Sequence, residues 1–523
     1  MCGVTFVVTI AASTHAQVEV KTTAGAVRGV AIANGGGIRV FKGIPYAAPP
    51  TGDARWQAPR PVVAWQGVRD ASAFGPACLQ GKVFDDINFT NMSEDCLSLN
   101  IWTPAKGASD RLPVMVWIHG GGFQVGGGRE ARHDGEAFAR RGIVLVTINY
   151  RVGVFGFFSH PDLTKESGHQ ASGNYGLLDQ VAALRWVKDN IAGFGGDPRN
   201  VTIFGESAGS LSVSALMASP LARGLFHKAI GESGAFFTRG GGGLSVAPLA
   251  ASEAQGTTFA TSLGAPSIAA LRAKTGDEIL QAATKTRPWF SPNVDGYFLT
   301  QDVATTFASG QQAQVPLLAG WNADEIRAAV TLAKQKPTVQ SFIDDTKKRY
   351  GDSADAILKV YPASTDAEAL ESAAALGSDA FIGYATWKWI ESHVKTGHAA
   401  VYRYSFDRKI PVPANHTVGG VPATARDIGA RHAGEIEYVF GAMKLSRPEV
   451  PWEPVDQQIS DAMTTYWANF ARTGDPNGKG VPAWSRYDKT GRVMHLDEVI
   501  RERDDTTRPR YEALEVGLVK PSR

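Results

Sequence analysis

Strand-like and helix-like segments alternate through the middle of the chain. Apolar, β-branched runs of buried-strand length stand at residues 113–119 and 143–150, and shorter strand candidates stand at 201–204, 315–319 and 400–406. Residues 211–217 suit a helix, and a longer helix is indicated by apolar residues at helical spacing: Leu177, Leu178, Val181, Leu184, Val187 and Ile191. This alternation predicts an α/β fold, in which helices cover both faces of a mostly parallel central sheet.

The segment before residue 17 has a different pattern. An apolar run at residues 4–12 is followed by Ser13-Thr14-His15-Ala16, whose small residues resemble a signal-peptidase site. We therefore expect a signal peptide at residues 1–16 and a secreted or periplasmic protein, with a truncated start because a basic n-region is missing. Residues 17–523 contain no repeat or Pro/Ser-rich linker, so we expect one domain there, with a flexible surface loop at residues 240–243.

Composition narrows the possible partners. The 523 residues are 43% hydrophobic and 20% charged, which is typical of an ordered globular protein. A dispersed net charge of +2 offers no basic stripe, so we expect no nucleic acid partner, and no later run reaches the ~18 apolar residues of a membrane span. Apart from Cys2 in the leader, the cysteines are Cys78 and Cys96, which form either a disulfide or two separate buried thiols.

A G-x-S-x-G motif stands at Gly205-Glu206-Ser207-Ala208-Gly209, between a strand-like run and a helix-like run. A sharp strand-to-helix turn crowds the backbone beside the serine, and glycines at 205 and 209 remove side chains that would clash. The turn presents the Ser207 hydroxyl at the sheet edge, near the positive dipole of the helix N-terminus. An incidental Gly/Ser turn is the alternative, but the flanking strand and helix favour a nucleophile.

A second glycine motif, His119-Gly120-Gly121-Gly122-Phe123, also follows a strand-like run. It matches the HGGG type of loop, in which backbone N–H groups point at a developing alkoxide. We expect the oxyanion donors to be the N–H groups of Gly121, Gly122 and Ala208. A phosphate-binding loop is disfavoured, because Val125 stands where G-x-G-x-x-G requires its last glycine and the chain has no Walker sequence.

A serine triad on such a sheet follows the order Ser, acid, His along the chain. His432 lies in a loop of small residues that can reach the sheet edge, but His393, His398, His416 and His495 also come late enough. Local sequence does not decide which carboxylate is the triad acid, because several acidic residues are candidates: Asp295, Asp302, Asp324, Glu325 and Asp379.

Several motif blocks resemble the type-B carboxylesterase family, which includes bacterial para-nitrobenzyl-type esterases and the cholinesterases. The resemblance covers nearly the whole chain and follows the family's order of motifs. Besides the two glycine motifs, the blocks are residues 41–50 (FKGIPYAAPP), 93–102 (SEDCLSLNIW), 173–180 (GNYGLLDQ), 322–325 (NADE), His432 with 435–441 (EIEYVFG), and 467–470 (WANF) leading to 474–476 (GDP).

The resemblance implies the α/β-hydrolase fold with large helical insertions, Glu325 as triad acid, His432 as base, Ser233 as a supporting hydroxyl and a Cys78–Cys96 disulfide. We expect Glu206, next to the nucleophile, to be a second supporting residue. The chain departs from the family where Ile326 replaces the usual glycine after the acid. Phe84 and Phe89 are the only aromatic residues between Cys78 and Cys96, where cholinesterases carry a cation-binding tryptophan. A quaternary-ammonium ester is therefore not expected as substrate.

These observations predict a serine carboxylesterase that acts on a small-molecule ester through an acyl-enzyme, without cofactor or metal. A metallohydrolase is disfavoured because no His-Glu-x-x-His or clustered His/Cys spacing occurs. A non-catalytic binding protein of the same fold is a further alternative.

The sequence leaves the substrate open. It can be a simple ester or a bulky multi-ester natural product, such as the tricarballylate-esterified mycotoxins that some bacterial relatives hydrolyse. We expect the protein to be a monomer or weak homodimer. Six aromatic residues are candidates for lining the acyl or alcohol pocket: Phe123, Phe236, Phe237, Trp289, Phe290 and Tyr384.

Overall fold

One mixed β-sheet organises the computed structural model, which describes residues 17–32, 35–84, 87–238, 245–265 and 267–519. The expected signal peptide, Cys2 and the glycine run at 240–243 lie outside the described residues. Within the described residues the sheet has thirteen strands. They are β1 (Gln17–Lys21), β2 (Ala26–Ala31), β3 (Arg39–Pro45), β4 (Val68–Asp70), β5 (Ser98–Thr103), β6 (Leu112–Ile118), β7 (Val144–Ile148), β8 (Gly196–Glu206), β9 (Lys228–Glu232), β10 (Leu317–Asn322), β11 (Val401–Phe406), β12 (Arg492–Leu496) and β13 (Arg501–Asp504).

The centre of the sheet is parallel. The strand order is β1-β2-β3-β5-β7-β6-β8-β9-β10-β11-β12-β13, with β4 paired to β2. Neighbours from β7 to β12 run parallel, and antiparallel pairs flank them on both sides. This confirms the predicted mostly parallel sheet, and the five predicted strands are β6, β7, β8, β10 and β11. Because their directions agree, the carboxyl ends of β8, β9 and β10 meet at one edge.

Helices connect these strands and form the insertions between them. The α-helices of the described residues, α1 to α20 in chain order, are Glu136–Arg140, Gly153–Phe157, Pro161–Glu166, Tyr175–Asn190, Ala208–Ala218, Leu249–Ser262, Ile268–Arg272, Gly276–Thr286, Val303–Ala308, Arg327–Thr331, Val339–Tyr350, Ala354–Val360, Asp366–Ser378, Tyr384–Thr396, Ala425–Ile428, Ile436–Val439, Met443–Ser446, Pro454–Thr473, Tyr487–Thr490 and Arg508–Val519. A π-helical turn, Asp379–Gly383, joins α13 to α14. No helix in the described ranges is both long and apolar enough to cross a bilayer.

The core has two parts, one on each face of the sheet. Side chains alternate across a strand, so Val114, Val116 and Ile118 of β6 enter one cluster, whereas Met115 and Trp117 enter the other. The predicted helix at 177–191 is α4, which packs on the first face, and α18 packs on the second. Since both faces are covered, β6 and β7 are almost entirely buried and their sequences are mostly apolar.

Candidate active site

Ser207 lies on the turn between β8 and α5, as its motif predicts. Its backbone has φ of 53° and ψ of −119°, a conformation that L residues rarely adopt. A Cβ placed on Gly209 would lie 1.9 Å from the carbonyl oxygen of Ile118, and one on Gly205 would lie 2.5 Å from the same atom. The turn therefore presses against β6, and only glycine fits at these two positions.

The side chains of Ser207, His432 and Glu325 meet at the carboxyl edge of the sheet. His432 Nε2 lies 2.9 Å from Ser207 Oγ, and His432 Nδ1 lies 2.5 Å from Glu325 Oε2. Glu325 follows β10, and His432 lies in the loop between α15 and α16. With its proton on Nδ1, the imidazole donates to the carboxylate and keeps Nε2 free to accept from the serine.

Two further donors hold the carboxylate of Glu325. Its Oε1 accepts the backbone N–H of Asn322 at 2.8 Å and the hydroxyl of Ser233 at 2.7 Å. Ser233 follows β9 directly, has a φ of 54° and is completely buried. The structure thus brings Ser233 to the place that the family resemblance implied.

The glycine loop after β6 lies beside Ser207. A Cβ placed on Gly120 would lie 3.3 Å from Cβ of Ser207. Gly121 and Gly122 have φ of 101° and 62°, and within the described part of the chain their N–H groups donate no hydrogen bond. Ala208 is the first residue of α5, where an N–H has no acceptor within the helix. All three expected donors are therefore available to a ligand at this site.

Comparison with known proteins agrees with this geometry. The profile of the carboxylesterase family matches residues 16–513. The chain belongs to the carboxylesterase family. Since the family and the esterase relatives below agree, the predictions of an α/β-hydrolase fold and of a serine enzyme that hydrolyses carboxylic esters are confirmed.

This carboxylesterase is 37% identical to the fumonisin B1 esterase of Sphingopyxis macrogoltabida over 518 residues, which cover 94% of this chain and 89% of the relative. It is 34% identical to the para-nitrobenzyl esterase of Bacillus subtilis (strain 168), with coverage of 90% and 93%. Among solved structures, a thermophylic PNB esterase superposes with a TM-score of 0.79 at 32% identity, covering 95% of this chain and 99% of that chain.

A cluster of buried carboxyl groups lies around His432 in the carboxylesterase. We call Glu206, Glu232, Glu325 and Glu435 the carboxyl cluster; each is at most 3% exposed. Glu206 Oε1 lies 3.3 Å from His432 Nε2, so this expected supporting residue does contact the imidazole. Burial raises the pKa of Glu206, and burial with the nearby charge of Glu325 raises the pKa of Glu435, so both carboxyl groups hold a proton more readily than an exposed glutamate.

The sequence pattern did not single out three side chains that support this site. Glu232 accepts from Trp467 Nε1 at 2.7 Å, and burial raises its pKa well above the usual range. Glu435 lies three residues after His432, at the start of the EIEYVFG motif shared with the family, and this position was the only sequence feature that pointed to it. Phe381, on the π-helical turn, packs edge-on against the His432 ring at 5.2 Å between centroids.

The departure at Ile326 leaves Glu325 in place. Ile326 has a φ of −127°, which any L residue adopts, so no glycine is needed there. Its side chain extends toward Gly377, where an added Cβ would lie 2.6 Å from Ile326 Cδ1. The absence of a side chain at position 377 therefore makes room for the isoleucine.

The rim of the site contains the disulfide loop and aromatic side chains. Cys78 and Cys96 are bonded, as the resemblance implied. Phe84, in the loop that they close, and Trp289 both approach Gly122, and they are 41% and 42% exposed. Phe84 and Arg431 also line a cavity of about 950 Å³ on the side of the His432 loop. The other five aromatic pocket candidates lie in the hydrophobic core: Phe123, Phe236, Phe237, Phe290 and Tyr384.

Proposed function

We propose that Ser207, His432 and Glu325 are the catalytic triad of this esterase. The observation that carries the proposal is the position of the His432 imidazole, which contacts Ser207 through one nitrogen and Glu325 through the other. Ser207 Oγ attacks the ester carbonyl while His432 Nε2 takes the hydroxyl proton. Glu325 orients the imidazole and stabilises the imidazolium that forms.

The carbonyl oxygen becomes negatively charged and is stabilised by the N–H groups of Gly121, Gly122 and Ala208. When this tetrahedral intermediate collapses, His432 gives its proton to the departing alcohol and the acyl group stays on Ser207. Water then attacks the acyl-enzyme, with His432 as base and afterwards as acid. The carboxylic acid leaves, and the serine regains its hydrogen.

Hydrolysis of a p-nitrophenyl ester by the Ser207→Ala variant tests the triad. Removing the nucleophile of a serine triad lowers kcat by about 10⁶-fold, so activity should fall to background. Ser214→Ala, on the same helix α5 but two turns farther on, is the matched control and should retain activity. Labelling by an organophosphate should likewise be lost only in Ser207→Ala. A Ser207→Ala enzyme with near-wild-type hydrolysis contradicts the assignment.

We further propose that the substrate is a bulky ester with more than one ester bond. The 37% identity to a protein named fumonisin B1 esterase supports this proposal. A panel of esters that includes fumonisin B1 and p-nitrophenyl butyrate tests it through kcat/KM. We expect the larger substrate to be hydrolysed at least as efficiently as the small one. Hydrolysis of the small ester alone would contradict this second proposal and leave the triad untouched.

We also propose that residues 17–523 form a single domain, that residues 1–16 direct export, and that the enzyme is a monomer or weak homodimer. The continuous sheet from β1 to β13 supports the first proposal. The disulfide supports the second, because such bonds persist in oxidising compartments. Mass determination of the secreted protein and analytical ultracentrifugation test the last two.

A further inference from the structure

Glu435 lies behind the proposed catalytic acid and has no role in the triad. Its side chain is completely buried, and its two oxygens face different partners. Oε2 lies 2.6 Å from Asn322 Nδ2, and Oε1 lies 3.3 Å from Ser233 Oγ. Among the described residues it has no hydrogen bond or ion pair to a lysine or arginine. A buried carboxylate without a cationic partner is costly, so the hydrogen bonds of its two oxygens decide whether the group carries a charge.

The contacts of Asn322 decide what Oε2 does. Asn322 Nδ2 also lies 2.7 Å from the carbonyl oxygen of Arg431. A carbonyl oxygen can only accept, so the atom that faces it is the amide nitrogen rather than the amide oxygen. The second hydrogen of this nitrogen is then donated to Glu435. Oε2 of Glu435 is therefore an acceptor, and any proton on this carboxyl group sits on Oε1.

The contacts of Ser233 decide what Oε1 must do. A serine hydroxyl has one hydrogen, yet Ser233 Oγ lies 2.7 Å from Glu325 Oε1 and 3.3 Å from Glu435 Oε1. The shorter contact takes the hydrogen, which leaves lone pairs of Ser233 facing Glu435. Two buried acceptors that face each other at this distance repel unless a second hydrogen lies between them.

We propose that Glu435 is an un-ionised carboxylic acid in the working enzyme and donates its proton to Ser233 Oγ. Ser233 is thereby oriented to donate to Glu325, and the carboxylate of Glu325 is fixed against His432. Glu435 is a positioning residue, because it acts through Ser233 and touches no reacting atom. The inference rests on the proposed triad.

The surroundings of Glu435 favour its un-ionised form. The titratable groups whose charges influence Glu435 or its neighbours are mostly acidic or neutral, and the one arginine, Arg132, interacts with Glu206. These groups are Glu206, Glu232, Glu325, His432, Tyr404 and Arg132. Burial and the charge of Glu325 both raise the pKa of Glu435. A second full negative charge next to Glu325 would be costly, because among the described residues no lysine or arginine pairs with Glu435.

The dependence of kcat/KM on pH tests this inference with Glu435→Gln. Glutamine matches a protonated glutamate: its oxygen accepts from Asn322, its NH₂ group donates to Ser233, and it carries no charge. We expect the acid limb of the profile, where His432 takes up a proton, to stay within about 0.3 pH units of the wild type. If Glu435 is ionised instead, its removal lowers the limb by about one pH unit or more, since a nearby negative charge no longer stabilises the imidazolium. That shift would overturn the inference.

A second neutral variant, Glu435→Met, keeps the test valid if the glutamine variant folds poorly. Its acid limb should also stay in place, but kcat should fall about 10-fold because Ser233 loses its donor, while KM changes little. Equal losses of kcat in the two variants would contradict the donor role. Failure of the triad itself is distinguished separately, since it would appear as activity or organophosphate labelling retained in Ser207→Ala.

Discussion

Gly121 is the position where one added methyl group tests the oxyanion loop most directly. Its φ is 101°, and a Cβ placed on it would lie 2.1 Å from the carbonyl oxygen of Val125. An ordinary C···O approach is about 3.3 Å, so the loop must shift by about 1 Å in Gly121→Ala. The Gly121 carbonyl also accepts the N–H groups of Gln124 and Val125, at 3.0 and 3.1 Å, so the shift strains the whole turn.

The expected loss in Gly121→Ala follows from this displacement. A misplacement of about 1 Å at a reacting group costs about 100-fold in rate, and removal of one oxyanion donor costs about 100- to 1000-fold in kcat. The donor acts mainly on the developing charge, so KM should change little. We therefore expect kcat for a p-nitrophenyl ester to fall about 100- to 1000-fold.

Gly224→Ala is the matched control, because Gly224 has a φ of 71° and an added Cβ meets nothing within 4 Å. It carries a similar backbone strain of about 1–2 kcal/mol away from the site and should keep kcat unchanged. Circular dichroism melting curves establish that both variants are folded. A folded Gly121→Ala enzyme with kcat within about 5-fold of the wild type would refute the reasoning, since a lost donor costs far more.

Two further predictions concern pH and stability. Burial lowers the pKa of His432, but the charges of Glu206, Glu325 and Glu435 outweigh burial and raise it to about 9 when these groups are ionised. Each carboxyl group that takes up a proton loses its charge and raises the pKa of His432 less. The midpoint of the acid limb of kcat/KM should therefore lie between the ordinary histidine value of about 6.5 and 9, and activity should be lost as pH falls. A midpoint below 6 would contradict this prediction. Arg151 and Asp179 form a buried bidentate pair, with both contacts at 2.8 Å. Arg151→Met leaves the Asp179 charge unpaired and should lower the free energy of unfolding by about 3–5 kcal/mol. In denaturant titrations, Arg151→Met/Asp179→Leu should recover most of this loss, and no recovery would argue against a charge penalty.

Local sequence was sufficient for the features that depend on near neighbours. The strand β6 is continuously apolar, and β7 is apolar except for Thr147, because both faces of the sheet are covered there; this pattern is visible without a structure. The glycines at 205, 209 and 121 mark places where backbone approaches backbone, and added Cβ atoms there would lie 2.5 Å or less from carbonyl oxygens. The strand-to-helix turn that carries Ser207 could therefore be predicted from its motif and flanking elements alone.

Local pattern left the triad partners open, and only family resemblance selected Glu325 and His432. These side chains lie 107 positions apart, and His432 lies 225 positions from Ser207, so no local rule brings them together. Their contacts depend on the parallel order of β8, β9 and β10, which places three strand ends at one edge.

The tertiary structure alone decided the environment of the triad. It showed that Ser233 lies between two carboxyl groups, that Gly377 makes room for Ile326, and that buried Glu232 accepts a hydrogen bond from Trp467. Burial and hydrogen-bond partners determine whether a buried carboxyl group is charged, and both arise only when distant segments pack together. The order of residues thus determined which strands and turns form, whereas packing determined which side chains meet at their ends.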